Sequence, residues 1–303
     1  MTSMSVLTAP AGSAGSGAPP ARYALVVASD AAHREAAQRL RHAVFAAEPG
    51  FRAPDDGTGR DADRFDQYCD HLLVRDRRSG EFVGCYRMLP PDKAAAAGGY
   101  YTATEFDLTD LDPHGRRIVE MGRACVAPGH RNGSVLTLMW AGILHYIQLT
   151  GYDRVMGCVS VPMAARPGEP EGHTVRGVRD LVTARHLTAP GLRVRPLRPV
   201  VVDGRSLDEL PAPARVTLPP LLRGYLRLGA RICGEPAHDP DFGVADFVAL
   251  LGLDSLDTRY LERLRGAANA VYAGRSESDA GRSESDAGRS ESDAGRSESD
   301  AGR

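Results

Sequence analysis

At 303 residues, with 42% hydrophobic and 25% charged side chains, the chain is long enough for one large domain and has the composition of a globular protein. The net charge of −2 gives no reason to expect a nucleic-acid partner, and no apolar run reaches the ~18 residues needed to span a bilayer. Five widely spaced cysteines (Cys69, Cys85, Cys125, Cys158, Cys233) include no CxxC pair, so neither a metal site nor a disulfide framework is expected, and reduced thiols in a cytoplasmic protein are.

Residues 1–21 are rich in Ala, Gly, Ser and Pro. They lack the basic and apolar regions of a secretory signal and read as a disordered N-terminal segment. Residues 273–303 are "AGRSESD" four times over, then "AGR". Seven is the coiled-coil period, but no position carries a large apolar side chain, so no seam forms and a disordered tail is expected. Each repeat holds one Arg, one Glu and one Asp, so the tail carries −3 and the other 272 residues sum to about +1. Residues 22–272 are the expected folded domain.

"YALVVAS" (Tyr23–Ser29) predicts a strand. Asp30 is a candidate N-cap for a helix with apolar residues at Ala37, Leu40, Val44 and Phe45. A loop rich in Gly, Pro and Asp follows. "DHLLVRD" and "EFVGCYRML", joined by "RRSG", predict a hairpin. A Pro/Ala/Gly-rich connection leads to a strand over Arg117–Val126. "RNGSVLTLMWAGILHYIQLTGY" is apolar nearly all round and predicts a buried helix, with a further strand in "DRVMGCVS". After Pro162 the pattern loosens: "RPLRPVVVDG" reads as a strand flanked by prolines, and the region from Leu218 reads as a helix, a turn and a last strand or helix. An antiparallel meander thus feeds a parallel strand–helix–strand unit. No GxGxxG is present, which argues against a dinucleotide fold.

"IVEMGRACVAPGHRNG" (Ile118–Gly133) raises the functional question, because a buried strand holds both Glu120 and Arg123. Regular alternation separates the two across the sheet, whereas a bulge at Gly122 brings them nearer and frees a backbone N–H. Glu120 is read either as an ion-pair partner of Arg123 or as a general base beside a backbone donor. The turn after the strand meets a helix near Asn132–Gly133, whose N-terminus suits a phosphate.

Here the chain resembles the GNAT (N-acetyltransferase-like) superfamily, whose corresponding turn holds a pantetheine pyrophosphate. Arg131-Asn132-Gly133-Ser134 is one residue shorter than the usual Q/R-x-x-G-x-G/A pattern. A longer ordered set comprises "RHAVFAAE", "DRFDQYCDHLLVRD", "GEFVGCYRMLPP", "YTATEFDL", "VEMGRACVAPGHRNG" and "GYLRLGARICGEPAHDPDFGVADF". It is similar to the ornithine N-alpha-acyltransferase family, the hemolysin-like GNAT branch, over about residues 33–262. The first half also resembles acyl-homoserine lactone synthases, although the tryptophan usual in their early loop is missing.

The resemblance implies an α/β (α+β) fold, a mixed, mostly antiparallel sheet flanked by helices with a C-terminal helical extension. It implies an enzyme that moves a (3-hydroxy)acyl chain from acyl-acyl-carrier protein to the α-amine of L-ornithine, giving lyso-ornithine lipid. Acyl-CoA is the alternative donor, and no cofactor is bound. By the resemblance, Glu120 accepts the amine proton and Arg123 acts with it. Asp66 and Asp70 hold the ornithine ammonium, while Arg87 and Arg123 hold its carboxylate. Arg41 and Phe45 belong to the same set. Val126, Arg131, Asn132, Gly133 and Ser134 hold the phosphopantetheine.

Each assignment has a plainer counterpart: Asp66 as a loop cap, Arg87 as a surface strand end, His71 as a hydrogen-bonded structural residue. Arg223, Arg227 and Arg231 recur at intervals of four and read as one basic helix stripe. It suits solvent, an acidic carrier protein or an anionic bilayer surface, hence a peripheral site at the inner face of the membrane. Other acceptors (a homoserine-lactone-type amine or another amino acid), a non-catalytic acyl-binding protein and a membrane-active toxin are the competing readings.

Overall fold

The computed structural model describes residues 22–48, 57–113, 115–164 and 168–256, with single positions 259, 262 and 266. The terminal segments expected to be disordered lie outside the described residues. Strand β1 (Tyr23–Ala28) leads to helix α1 (Ala31–Ala46), where Asp30 caps by accepting the His33 N–H at 3.0 Å. The predicted hairpin forms β2 (Asp70–Asp76) and β3 (Phe82–Leu89).

Short helix α2 (Pro91–Ala96) and short strand β4 (Phe106–Asp107) precede β5 (Val119–Val126). Arg117 and Ile118, expected in that strand, fall outside it, and Arg117 sits at φ +54°. Helix α3 (Ser134–Thr150) and β6 (Arg154–Pro162) complete the predicted strand–helix–strand unit. Ten of the 17 residues of α3 are buried, as its apolar circumference requires.

The C-terminal third holds helix α4 (His173–Arg185), short strands β7 (Arg195–Pro196), β8 (Val201–Val202) and β9 (Arg205–Ser206), helix α5 (Pro220–Leu228), short strands β10 (Arg231–Ile232) and β11 (Ala237–Asp239), and the long β12 (Val244–Gly252). The single strand expected over "RPLRPVVVDG" is instead two dipeptide strands in different small sheets. Pro196 and Pro199 lack the N–H that a continuous ladder needs. Of the two alternatives for the segment after the turn, the strand forms over Val244–Gly252: every residue of β12 is buried.

The main sheet runs β1-β2-β3-β5-β6-β12-β10, with β11 also paired to β12. All neighbours are antiparallel except β5 and β6. Helix α1 packs on one face against Leu73, Cys85 and Cys125. Helices α3, α4 and α5 cover the other, over a core that includes Leu72, Val74, Tyr86 and Phe247. A second cluster on the α1 side joins Leu89, Ile118, Met156 and Val248 to Phe65, Tyr100 and Phe106. Among the described residues, no helix is long and apolar enough to cross a membrane.

Candidate active site

The parallel pairing of β5 with β6 ends almost where it begins. Val119 faces Val155 and Glu120 faces Met156, and no further pair forms between them. The two strands therefore diverge beyond Glu120. At the start of the gap a Cβ on Gly157 would lie 2.2 Å from the Met121 carbonyl oxygen, so only glycine permits this approach. The gap opens on the helix-α3 side into an apolar cavity lined by Tyr86, Met121, Trp140, Gly157, Tyr225 and Leu251, among others. Trp140 meets Tyr225 edge-on at 5.2 Å, and the Tyr86 and Tyr225 hydroxyls hydrogen-bond.

The expected bulge is present, one residue further on than predicted. Cys85 pairs with Cys125 and Arg87 with Gly122, so Tyr86 stands opposite two residues, Arg123 and Ala124. Arg123 has φ +52°, a conformation that a non-glycine residue holds only when its surroundings fix it. The bulge turns Arg123 toward the α1 face, where its Nε lies 3.4 Å from Asp61 and its guanidinium 3.5 Å from Asp63. It also lies over the rings of Tyr101 and Phe242, at 4.9 and 5.0 Å.

Glu120 does not pair with Arg123. Its carboxylate accepts the Tyr101 N–H at 2.8 Å, the Thr102 N–H at 2.6 Å and the Thr102 hydroxyl. Burial raises its proton affinity, and the Thr102 and Tyr101 donors pull it back, leaving a net increase. Three donors occupy three of the roughly four lone-pair sites of a carboxylate, and Oε2 keeps room for another partner.

Arg41 and Asp66 form the buried centre of the α1 face. Asp66 Oδ1 and Oδ2 accept from the Arg41 guanidinium at 3.0 and 2.8 Å, from Gln38 at 3.0 Å and from Arg87 at 3.2 Å. Arg87 reaches Asp63 at 2.6 Å, and Arg41 reaches Asp61 at 2.7 Å. Burial favours the neutral Asp66 acid, but the charge and hydrogen bonds of Arg41, with Arg87, more than reverse this and hold its carboxyl well below the usual range. An Asp66 so fully engaged has no oxygen left for a substrate ammonium; it joins helix α1, the loop and β3. Arg87 is likewise buried, not a surface strand end. Asp61, Asp63 and Gln38 complete this network, and the acidic run "RDADRFD" is the sequence signal that marks it.

The structure separates Asp70 from Asp66. Asp70 pairs with Lys93 at 2.6 Å and accepts the Tyr146 hydroxyl at 2.9 Å, away from the Arg41 network. Phe45 packs beside Val44 and Cys125 at the end of α1. His71 lies buried with Nε2 3.1 Å from the Asp66 carbonyl, the structural reading.

The turn into α3 forms at its expected place. Gly133 at φ +91° opens α3 and offers no capping side chain, while Asn132 takes the Ser134 N–H at 3.1 Å. Arg131 is engaged, donating to the Val126 carbonyl at 3.0 Å and to Glu48 at 2.7 Å. The basic stripe is interrupted. Gly229 at φ +103° ends α5, so Arg223 and Arg227 lie on the helix, whereas Arg231 lies on β10 and donates to the Arg185 carbonyl at 3.0 Å.

Sequence reasoning gave no sign of a third group. Glu105, Asp239 and Asp246 converge from three elements, each offering an oxygen within 4.8 Å of the others. Burial first, then the charges of Asp246 and Asp239, pushes Glu105 up to about 8. Burial, with the Asp239 charge, pushes Asp246 up to about 6.

An acetyltransferase (GNAT) domain family matches residues 40–141, which contain β2, β3, β5 and the turn into α3. The chain is 34% identical to an L-ornithine N(alpha)-acyltransferase of Rhizobium meliloti (strain 1021), covering 78% of this chain and 81% of the relative. It is 32% identical to an L-ornithine N(alpha)-acyltransferase of Rhodobacter capsulatus, covering 81% and 95%. Among solved structures, a CoA-dependent acyl-homoserine lactone synthase, BjaI, is 16% identical with a TM-score of 0.46, covering 78% of this chain and 81% of that one.

Proposed function

We propose that this chain, which belongs to the L-ornithine N(alpha)-acyltransferase family, moves a (3-hydroxy)acyl chain from acyl-acyl-carrier protein to the α-amine of L-ornithine, giving lyso-ornithine lipid. The observation that carries this reading is the place of Glu120. It is the last paired residue before β5 and β6 part, with an apolar cavity on one side of the gap and a polar, charge-rich face on the other.

The chemistry is attack of a neutral amine on a thioester carbonyl. The new N–C bond forms as the carbonyl becomes an oxyanion. Collapse breaks the C–S bond and releases the carrier thiol, while the nitrogen gives up a proton. Glu120 takes that proton on Oε2, and burial supplies the raised affinity the task needs. The bulge at Arg123–Ala124 takes the backbone out of the ladder there, which supports giving its N–H groups the task of steadying the oxyanion. The cavity beside Trp140 and Tyr225 takes the acyl chain, and Arg123 answers the substrate carboxylate.

A carrier-borne phosphopantetheine presents one phosphate to the shortened turn at Asn132–Ser134, and acidic carrier protein suits Arg223 and Arg227. Acyl-CoA is the competing donor. The reading places the enzyme in the cytoplasm, working at the inner surface of the membrane. Incubation with 3-hydroxyacyl-carrier protein and a panel of amino acids, read by product mass, tests it. An N-acyl product from ornithine is expected; preference for another amino acid would replace ornithine in this reading.

A further inference from the structure

We propose that Glu105, Asp239 and Asp246 form the pocket for the side-chain ammonium of the amino acid acceptor, an inference that rests on the ornithine reading above. The three residues are 3%, 6% and 4% exposed, so their carboxyl groups have left bulk water. Asp246 accepts the Ser160 hydroxyl at 2.6 Å. Asp239 accepts the Asp241 and Phe242 N–H groups at 2.9 and 3.2 Å. Glu105 differs from both: neither of its oxygens accepts from an N–H or hydroxyl donor, and its one close partner is the Asp246 carboxyl, with which it can share a proton. The Tyr101 hydroxyl eases its charge a little without reaching hydrogen-bond geometry.

A buried carboxyl that no N–H or hydroxyl serves, set beside two more carboxyls, is unfavourable until a cation or protons arrive. The guanidinium of Arg123 reaches the pocket only through its charge, and its contacts at 3.4 and 3.5 Å are to Asp61 and Asp63 instead. A primary ammonium has three N–H donors, which matches one acceptor from each of three carboxyls. A divalent ion fits less well. It wants a fuller set of oxygens, whereas Asp246 and Asp239 each commit an oxygen elsewhere and the Arg123 charge stands beside them.

The pocket also sits beside the reaction centre. Thr102, which binds Glu120, and Glu105 are the two ends of one short 3-10 turn. Met156 faces Glu120 on β6, and Cys158 and Ser160 continue the same strand face toward Asp246, the Cα partner of Ser160. Cys158 feels the charges of Glu105, Asp246 and Glu120 together, and its thiol lies 3.7 Å from the Thr102 hydroxyl. A short diamine chain with its α-nitrogen at Glu120 therefore has its far nitrogen directed to the acidic trio.

The test compares L-ornithine with L-norvaline, which has the same carbon chain without the ammonium, in the full-length enzyme and in Glu105→Gln and Asp246→Asn. Wild-type enzyme is expected to favour ornithine, and the ratio of kcat/KM for ornithine over norvaline is expected to fall by about 100-fold in each variant through a raised KM for ornithine. Glu105→Gln keeps a donor for Asp246 and removes a buried acid, so its melting temperature is expected to equal or exceed that of wild type.

If the wild type acylates ornithine and both variants keep its ratio, the pocket assignment is overturned while the ornithine reading stands. If the wild type acylates neither amino acid, the ornithine reading fails, and ligand-induced melting shifts decide the pocket. A shift by ornithine alone, lost in both variants, supports it; equal shifts by ornithine and norvaline overturn it. A rise in wild-type melting temperature with Mg²⁺, Mn²⁺ or Zn²⁺ that both variants lose also overturns it, in favour of a metal site.

Discussion

Thr102 holds Glu120 by two donors on a single oxygen: its backbone N–H, at 2.6 Å, and its hydroxyl both point at Oε1. The contact fixes the turn after α2 to strand β5 at the point where β5 leaves β6. It also leaves Oε2 as the oxygen with spare capacity. Glu120→Gln removes the basicity and is expected to lower kcat by roughly 10²–10⁴. The deficit is expected to shrink at high pH, where more of the amine is already neutral. A Gln amide group turned toward the Tyr101 and Thr102 N–H groups also costs about 1–3 kcal/mol of stability. Measuring kcat and melting temperature from pH 7 to 10 separates the two effects. A variant with normal turnover per folded molecule would leave Glu120 only its role in holding the turn.

Asp66 is the shared acceptor of Arg41, Arg87 and Gln38. Asp66→Asn keeps its shape but leaves two buried guanidinium groups short of their counter-charge, a loss of about 3–5 kcal/mol. Because the Asp66 pKa is depressed in the fold, its stabilising effect is complete above the ordinary carboxyl pKa of about 3.9 and is lost as pH falls below it. Denaturant midpoints are therefore expected to differ widely between wild type and Asp66→Asn at pH 7, and the gap is expected to narrow only below about pH 4 and to persist at pH 3, because the folded carboxyl is still ionised there.

The acidic trio predicts the opposite slope. Glu105 at about 8 and Asp246 at about 6 bind protons in the folded state that the unfolded chain has released by about pH 5. For an acid whose folded pKa is raised, stability is greatest below the unfolded pKa and declines as pH rises through the folded one. Between pH 5 and 8 the ligand-free wild type is thus expected to lose melting temperature relative to Glu105→Gln. A flat difference across that range would contradict the raised affinities.

The hairpin, α3 and the parallel β5–β6 unit were legible because one period runs through most of each, broken in the strands only by local bulges, and turn residues mark its ends. Helix α4 carries its own signal, Val175, Val178 and Val182 spaced by three and four, but the glycines and prolines ahead of it break the pattern. In α2 the opening Pro91 is a first-turn residue that reads equally well as loop. Asp66 and Asp70 are four apart in sequence, yet one sits in a 3-10 turn and the other opens β2, so they serve different partners. Periodicity carried the basic stripe past Gly229, where the helix stops. Glu105, Asp239 and Asp246 share no spacing at all. They meet only because β11 and β12 fold back beside β6, a relation no local pattern encodes.

Donor choice follows from the turn before α3 and from what remains of the basic stripe. Arg131 is tied to Glu48 and the Val126 carbonyl, so on the proposed reading the phosphate falls to the helix N-terminus at Gly133–Ser134. That arrangement suits one phosphate better than a pyrophosphate. Acyl-carrier protein is expected to exceed the matching acyl-CoA by at least ~10-fold in kcat/KM, or ~1.4 kcal/mol. Arg223→Glu and Arg227→Glu together are expected to raise KM for the carrier protein, because both side chains are exposed on α5. The same pair should leave KM for an acyl-pantetheine mimic unchanged, since the mimic brings no acidic surface. Arg231→Glu is expected to do less, its side chain being held by the Arg185 carbonyl. Kinetics with the three donors across these variants check the argument. Equal use of carrier protein and CoA by the unmutated enzyme would reject the single-phosphate reading, and an unchanged carrier KM in the double variant would move the docking surface off α5.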